Sequence, residues 1–162
     1  MKRQLKKALL LFITLALLTC SLTSCLAPKP KTFTVADELR ITLTEAFSEK
    51  ELVGQTAMFQ SLDVIVTVLL EEKELIQRDL SVEEYAALVC SGNGLTDSTV
   101  KIKDTHAAFS YEKTVSGKDY TYFAKCFKSE KGYWLVQFAC FTSAVDKHKE
   151  NIDTWTASIS FS

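Results

Sequence analysis

Tyr120–Phe127 (YTYFAKCF) and Tyr133–Phe141 (YWLVQFACF) flank Lys128 and the turn residues Ser129-Glu130-Lys131-Gly132. Both runs are rich in aromatic and β-branched residues, which fit a pleated, half-buried surface. A short polar connection between two such runs predicts an antiparallel hairpin. Working outward toward the N-terminus, His106–Val115 meets Tyr120–Phe127 around Ser116-Gly117-Lys118. Val100 and Ile102 alternate with lysines just before it. The stretch from Ser98 to Phe141 therefore reads as an antiparallel meander.

Further upstream, Thr32–Val35 and Leu39–Leu43 show period-2 alternation, with Leu39, Ile41 and Leu43 on one face and Arg40 and Thr42 on the other. Leu62–Leu70 (LDVIVTVLL) is apolar on both faces, as a central strand requires. The charged run Glu71-Glu72-Lys73-Glu74 ends it in solvent. Ser81-Val82-Glu83-Glu84 has the form of a capping box, followed by Val82, Tyr85, Leu88 and Val89 at helical spacing and by Gly92 as a stop. A second helix is predicted from Ser143 and Asp146, with Val145, Ile152, Trp155 and Ile159 near one face. The order predicts an α+β domain: one antiparallel sheet of about six strands with two helices packed on it.

Taken together, the paired strands at the start, the SVEEYAAL helix, the YTYFAKCF and YWLVQFACF meander and the closing helix running into Ser158-Ile159-Ser160-Phe161 resemble the PsbP-like fold group. That group takes in the extrinsic photosystem II subunit, a Ran-binding nuclear import factor and bacterial DcrB-like lipoproteins. The resemblance covers roughly Thr32–Phe161 and is one of pattern and element order. It implies a binding or assembly module without catalysis, and it carries over no functional residue.

The N-terminus reads as an address. MKRQLKK is positively charged, and Ala8–Leu18 is apolar except for Thr14. Eleven helical residues rise about 16 Å, roughly half a hydrocarbon core, which suits a signal peptide and not a membrane span. Leu22-Thr23-Ser24-Cys25 follows in the pattern of a lipobox. Its thiol takes a diacylglyceryl group as a thioether, its small residues admit the processing peptidase, and its leucine fills an apolar subsite. Cys20 is a poorer candidate, because Leu18 and Thr19 stand where small residues are needed. Residues 1–24 are thus expected to be a cleaved lipoprotein signal, 25–31 a lipidated cysteine and short tether, and 32–162 a single domain. Two acyl chains on one residue give durable anchoring, so the expected location is the extracytoplasmic face of the cell membrane. Pro28 and Pro30 favour an extended leash, and six such residues reach about 19 Å.

Without Lys2, Arg3, Lys6 and Lys7 the chain holds 15 basic against 20 acidic residues. A mildly acidic surface argues against nucleic acid, whose affinity rests on Lys and Arg contacts to phosphate, and against a polybasic membrane patch. Cys90, Cys126 and Cys140 lack CxxC or zinc-type spacing. Along the hairpin, Cys126 should face Leu135 or Val136, leaving Cys140 some 13–17 Å away, beyond the roughly 7 Å reach of a bridge. Buried free thiols are the expectation, with a pairing of Cys90 to either of the others left open by spacing. Asp104 and His106 stand two apart on a predicted strand and so share a face, the arrangement that a metal site or catalytic dyad needs. No third ligand or nucleophile accompanies them in sequence, so the pair is read first as two polar residues on a strand edge. His148, amid Asp146, Lys147, Lys149 and Glu150, reads as part of a solvated helix face. Neither Glu71-Glu72 nor Glu83-Glu84 converges on a substrate, because neighbouring side chains diverge on a strand and on a helix alike. Gly92-Asn93-Gly94 follows a helix, the wrong order for a phosphate loop. Ten aromatic residues lie between Phe109 and Phe141. They suit a packed core first and a ligand-stacking surface second. The expected function is a non-enzymatic module without cofactor or bound metal that binds another envelope protein. The competing expectation is a small-ligand or metal-binding lipoprotein with a pocket near Asp104 and His106.

Overall fold

The computed structural model describes residues 28–95 and 98–162. The signal segment and Cys25 lie outside the described residues. Within them the chain is α+β, built on two antiparallel sheets.

The smaller sheet has three strands in the order β1 (Pro30–Val35), β2 (Leu39–Thr44) and β10 (Ser160–Phe161), with β2 in the middle. As the alternation predicts, Leu39, Ile41 and Leu43 are buried and Arg40 is exposed. The larger sheet has seven strands, in the order β3 (Ser48–Lys50), β4 (Ala57–Gln60), β5 (Val64–Glu72), β9 (Gly132–Phe141), β8 (Lys118–Lys128), β7 (Ala107–Val115) and β6 (Lys101–Ile102). The meander is formed as expected. Val115 pairs with Lys118 across Ser116 and Gly117, whose φ angles of 51° and 75° are those of a two-residue hairpin turn. Cys126 faces Leu135 in the next hairpin. β5 lies near the middle of the sheet and pairs with β9 along its whole length. The two strands approach so closely at Gly132 that a Cβ there would collide with the Glu71 carbonyl oxygen.

The sheets hold more strands than the pattern predicts. β3 is wholly exposed and polar and β4 has four residues, so neither carries an alternating apolar face long enough to be read. The predicted start of the central strand also moves. Ser61–Asp63 forms a turn, closed by the Val64 amide donating to Ser61 Oγ at 3.1 Å, and Leu62 is left 97% exposed.

Three helices complete the fold. α1 (Lys73–Ile76) is a single turn at the end of β5. α2 (Val82–Gly92) starts with the predicted capping box: the Glu84 amide donates to Ser81 Oγ at 3.1 Å and the Ser81 amide donates to Glu84 Oε2 at 2.7 Å. Tyr85, Ala86, Val89 and Cys90 form its buried face, while Leu88 is exposed. α3 (Val145–Ala157) follows a short 3₁₀ turn, Thr142–Ala144. Its cap is Ala144 without a side-chain bond, so the Ser143–Asp146 start is not used. None of these helices is long and apolar enough to cross a membrane.

The large sheet separates two cores. On one face Val64, Val66, Val68, Trp134, Val136 and Phe138 pack against the small sheet and against Ile152 and Trp155 of α3. On the other, Tyr133, Leu135, Cys126, Ala124 and Phe109 pack under α2. Tyr85 stacks on Tyr133 at 5.0 Å, and its hydroxyl donates to Glu71 Oε2 at 2.6 Å. Burial, followed by the Glu71 hydrogen bond, raises the Tyr85 phenol far above its ordinary range, so it remains a donor at any physiological pH.

Candidate functional site

The structure does not place Asp104 and His106 as a pair on one strand face. The Lys103 amide donates to the His106 carbonyl at 2.8 Å, closing a turn between β6 and β7. Both residues therefore stand in a turn and not on a strand, and the alternation that would place them on one face does not apply. Asp104 is exposed, whereas His106 is half-buried, with its ring 5.2 Å from Phe127. Burial, then the ammonium groups of Lys125 and Lys103, lowers the His106 pKa. Among the described residues no group of three His, Cys, Asp or Glu is placed to hold a metal ion.

Among the described residues, Cys90, Cys126 and Cys140 are free and buried. Cys140 lies in the core beneath the small sheet, Cys126 and Cys90 in the core beneath α2, so the large sheet itself separates Cys140 from the other two. Burial raises all three thiols, Cys126 up to about 12, which makes them poor nucleophiles.

The aromatic residues divide along the sheet. Phe109, Phe127, Tyr133, Trp134 and Phe138 are core. Tyr111, Tyr120, Tyr122 and Phe141 are half-exposed and belong to a different region. Strand register puts Tyr111 beside Tyr122 and Tyr120 beside Phe141, on the face that α2 covers further along. The Tyr111 and Tyr122 rings are parallel within 2° at 4.8 Å, and Tyr120 meets Phe141 at 4.8 Å. Tyr111 Oη accepts from Gln137 Nε2 at 2.9 Å, which fixes the ladder to β9. Lys118 Nζ lies 5.5 Å from the Phe141 ring. Across β9 and β5 the same face continues through Gln137, Thr67, Ile65 and Met58. Apart from Tyr111, which touches the margin of the α2 core, these residues belong to neither core among the described residues. Burial raises the phenols of Tyr111 and Tyr122, so both present O–H donors.

A concavity opens at the end of the small sheet where Pro30 pairs with Thr44. Pro28, Thr44, Phe47, Leu62, His148 and Trp155 are among the residues lining a groove of about 370 Å³. Phe47 meets Trp155 edge-on at 5.1 Å. His148, expected in solvent, is 5% exposed, and its Nε2 has no hydrogen-bond partner, the nearest acid being Asp63 Oδ2 at 3.8 Å. Lys147 Nζ donates to that same oxygen at 2.5 Å. This ion pair holds the Asp63 carboxyl below the usual carboxylate range. The signal for His148 was its spacing: His148, Ile152 and Trp155 stand at i, i+4 and i+7, on the face that packs.

The two-sheet topology and element order define a PsbP-like fold. Cyanobacterial PsbP (CyanoP) from Synechocystis sp. PCC 6803, known from a solution structure, superposes with a TM-score of 0.52 at 10% identity, covering 86% of this chain and 96% of that one. A Bacteroides thetaiotaomicron VPI-5482 protein of known crystal structure superposes with a TM-score of 0.54 at 11% identity, covering 83% of this chain and 49% of that one. No family model matches the chain. No curated protein matches it either. At these identities the likeness is one of fold.

Proposed function

We propose that this chain is a lipid-anchored extracytoplasmic protein, attached to the cell membrane through Cys25, whose domain binds another envelope protein and catalyses no reaction. The observation that carries the reading is the ladder of Tyr111, Tyr122, Tyr120 and Phe141 on the part of the sheet that α2 leaves open. Tyrosine offers large rigid contact area with a polar tip, and such residues concentrate where partners bind. The lipobox at Leu22–Cys25 supports the location.

The test has two arms. Cys25→Ala should abolish incorporation of labelled lipid, and continued labelling would overturn the anchoring half. A photo-crosslinking residue at Tyr122 should trap a protein in native membranes, with the yield lost when Tyr111 and Phe141 become serine. Replacing Asp104 and His106 together by alanine should leave crosslinking and cellular role unchanged. Loss of the role in that folded, membrane-attached double variant, with Tyr122 crosslinking nothing, would favour the ligand-binding alternative instead.

A further inference from the structure

We propose that the end of the domain carrying the Ser61–Asp63 turn rests on the bilayer, with Leu62 and the groove behind it in contact with lipid acyl chains. The proposal rests on the anchoring reading above and adds which surface the anchor presses to the membrane.

Three observations converge on this end. Pro28 forms part of the groove wall beside Leu62, and Cys25 stands only three residues before it in the sequence. Pro30 pairs with Thr44, and both lie at the same end of the small sheet. Leu62 is 97% exposed at the tip of its turn, and the groove it borders is walled by Phe47 and Trp155. In the large sheet, Val64, Cys140, Thr121 and Glu112 lie in one row. Leu62 and the hairpin tip at Val115, 40% exposed, both project beyond that row in the same direction. The three residue steps from Cys25 to Pro28 span at most about 11 Å, which holds this end within reach of the headgroups whatever partner sits on the sheet face.

The chemistry at this end is that of an apolar contact. Lys147 is paired with Asp63, and Lys29, Lys113 and Lys118 at this end are matched in number by Glu45, Glu112 and Asp119, so the end carries no net cationic charge. Binding should therefore be insensitive to salt and to the fraction of anionic lipid. An aliphatic side chain beside aromatic rings suits the headgroup–acyl boundary.

The opposite end supplies an internal control. Val53 is fully exposed, in the loop between β3 and β4 that lies level with Val68 and Leu70. It stands about 15 Å or more further along the strands than Leu62. Leu62→Trp and Val53→Trp variants of the full lipidated chain would be placed on vesicles of phosphatidylethanolamine and phosphatidylglycerol with brominated acyl chains. Because both positions are exposed, neither change disturbs packing. The fluorescence added by Leu62→Trp should fall by about half or more, since bromine quenches on contact and interfacial side chains sit 5–10 Å into the boundary. That added by Val53→Trp should be unchanged, and raising the salt should alter neither. Equal quenching at both positions, or none at Leu62→Trp, overturns the proposal. Absence of diacylglycerol in the mass of the purified protein would instead defeat the anchoring reading. Coupling a maleimide lipid to Cys25 of the same variants then still decides which end faces the membrane.

Discussion

The two faces of the seven-stranded sheet are treated differently by the rest of the molecule. One is covered from β4 to β8 by the three-stranded sheet and α3, with Val66, Val68, Val136 and Phe138 fully buried beneath them. It is open only toward its edges, where Ser110 and Glu112 of β7 are exposed. The other receives α2, which shields Tyr133, Leu135 and Cys126, and then stops. Beyond it the strands continue with Tyr111, Tyr122, Tyr120 and Phe141, which shield one another by stacking across strands. In β5 and β9 the covered face is apolar from Val64 to Leu70 and from Trp134 to Cys140, while the other carries Thr67, Glu71 and Gln137 among its apolar residues. The length of the element laid on top differs too: α2 has eleven residues, about 16 Å of helix, too short to cover a face seven strands wide. Coverage is thus decided by the partner element, and the residues left over are the ones available to a partner protein.

The largest effect of a substitution belongs to the covered face. Phe138→Ala should lower unfolding free energy by about 3–5 kcal/mol, the range for truncating a buried aromatic side chain. Ile65→Thr on the open face should stay within about 1 kcal/mol in the same denaturant titration. Similar losses at both positions would mean that the open face is covered by something else.

A middle-sized effect is expected where α2 is fastened to its side. The Leu80 amide donates to Tyr133 Oη at 2.5 Å, and that hydroxyl donates back to the Leu80 carbonyl at 3.1 Å. Tyr133→Phe keeps the ring against Tyr85 but leaves the buried amide unpaired, at a cost of about 1–3 kcal/mol. Amide exchange should show the loss concentrated in residues 80–92. A uniform change across the sheet would argue against a separately fastened helix.

The smallest effect concerns the rim of the covered face, where His106 packs against Phe127. Its folded-state pKa is depressed by burial, so the unfolded chain binds the proton more readily. The stability this contributes is present above the unfolded pKa of about 6.5 and is lost as pH falls through the lower folded value. Melting temperature should therefore decline on acidification from neutrality toward pH about 5, and the decline should be shallower in His106→Phe. An unchanged slope would place the acid sensitivity elsewhere.

Much of this architecture could be read before any coordinates. Wherever one face is buried, alternation is forced, so β2 and the meander announce themselves, and β5 does so through a β-branched run that is apolar on both faces. Ser81 and Glu84 mark the start of α2 because their reciprocal bonds depend on residues three apart. β3, β4 and β10 were not legible, since strands of two to four residues draw their stability from neighbours and not from a pattern of their own. Asp104 and His106 were misplaced for a related reason: spacing of two implies a shared face only if the segment is extended, and the Lys103–His106 hydrogen bond bends it. His148 was misassigned because its charged neighbours dominate the local composition, while its burial is set by the position of Ile152 and Trp155 one and two turns along.

The sequence by itself determined the α+β class, the meander and its register, and the capped helix, because each follows from side-chain periodicity or hydrogen bonds between residues close along the chain. Tertiary structure alone decided that the sheet would have one largely covered and one half-open face. It alone decided that the ten aromatic residues would split between core and surface, and that Leu62 and Pro28 would meet at one end. Those outcomes depend on which element reaches over which strand, and that packing brings together residues far apart in the chain, where no local pattern records it.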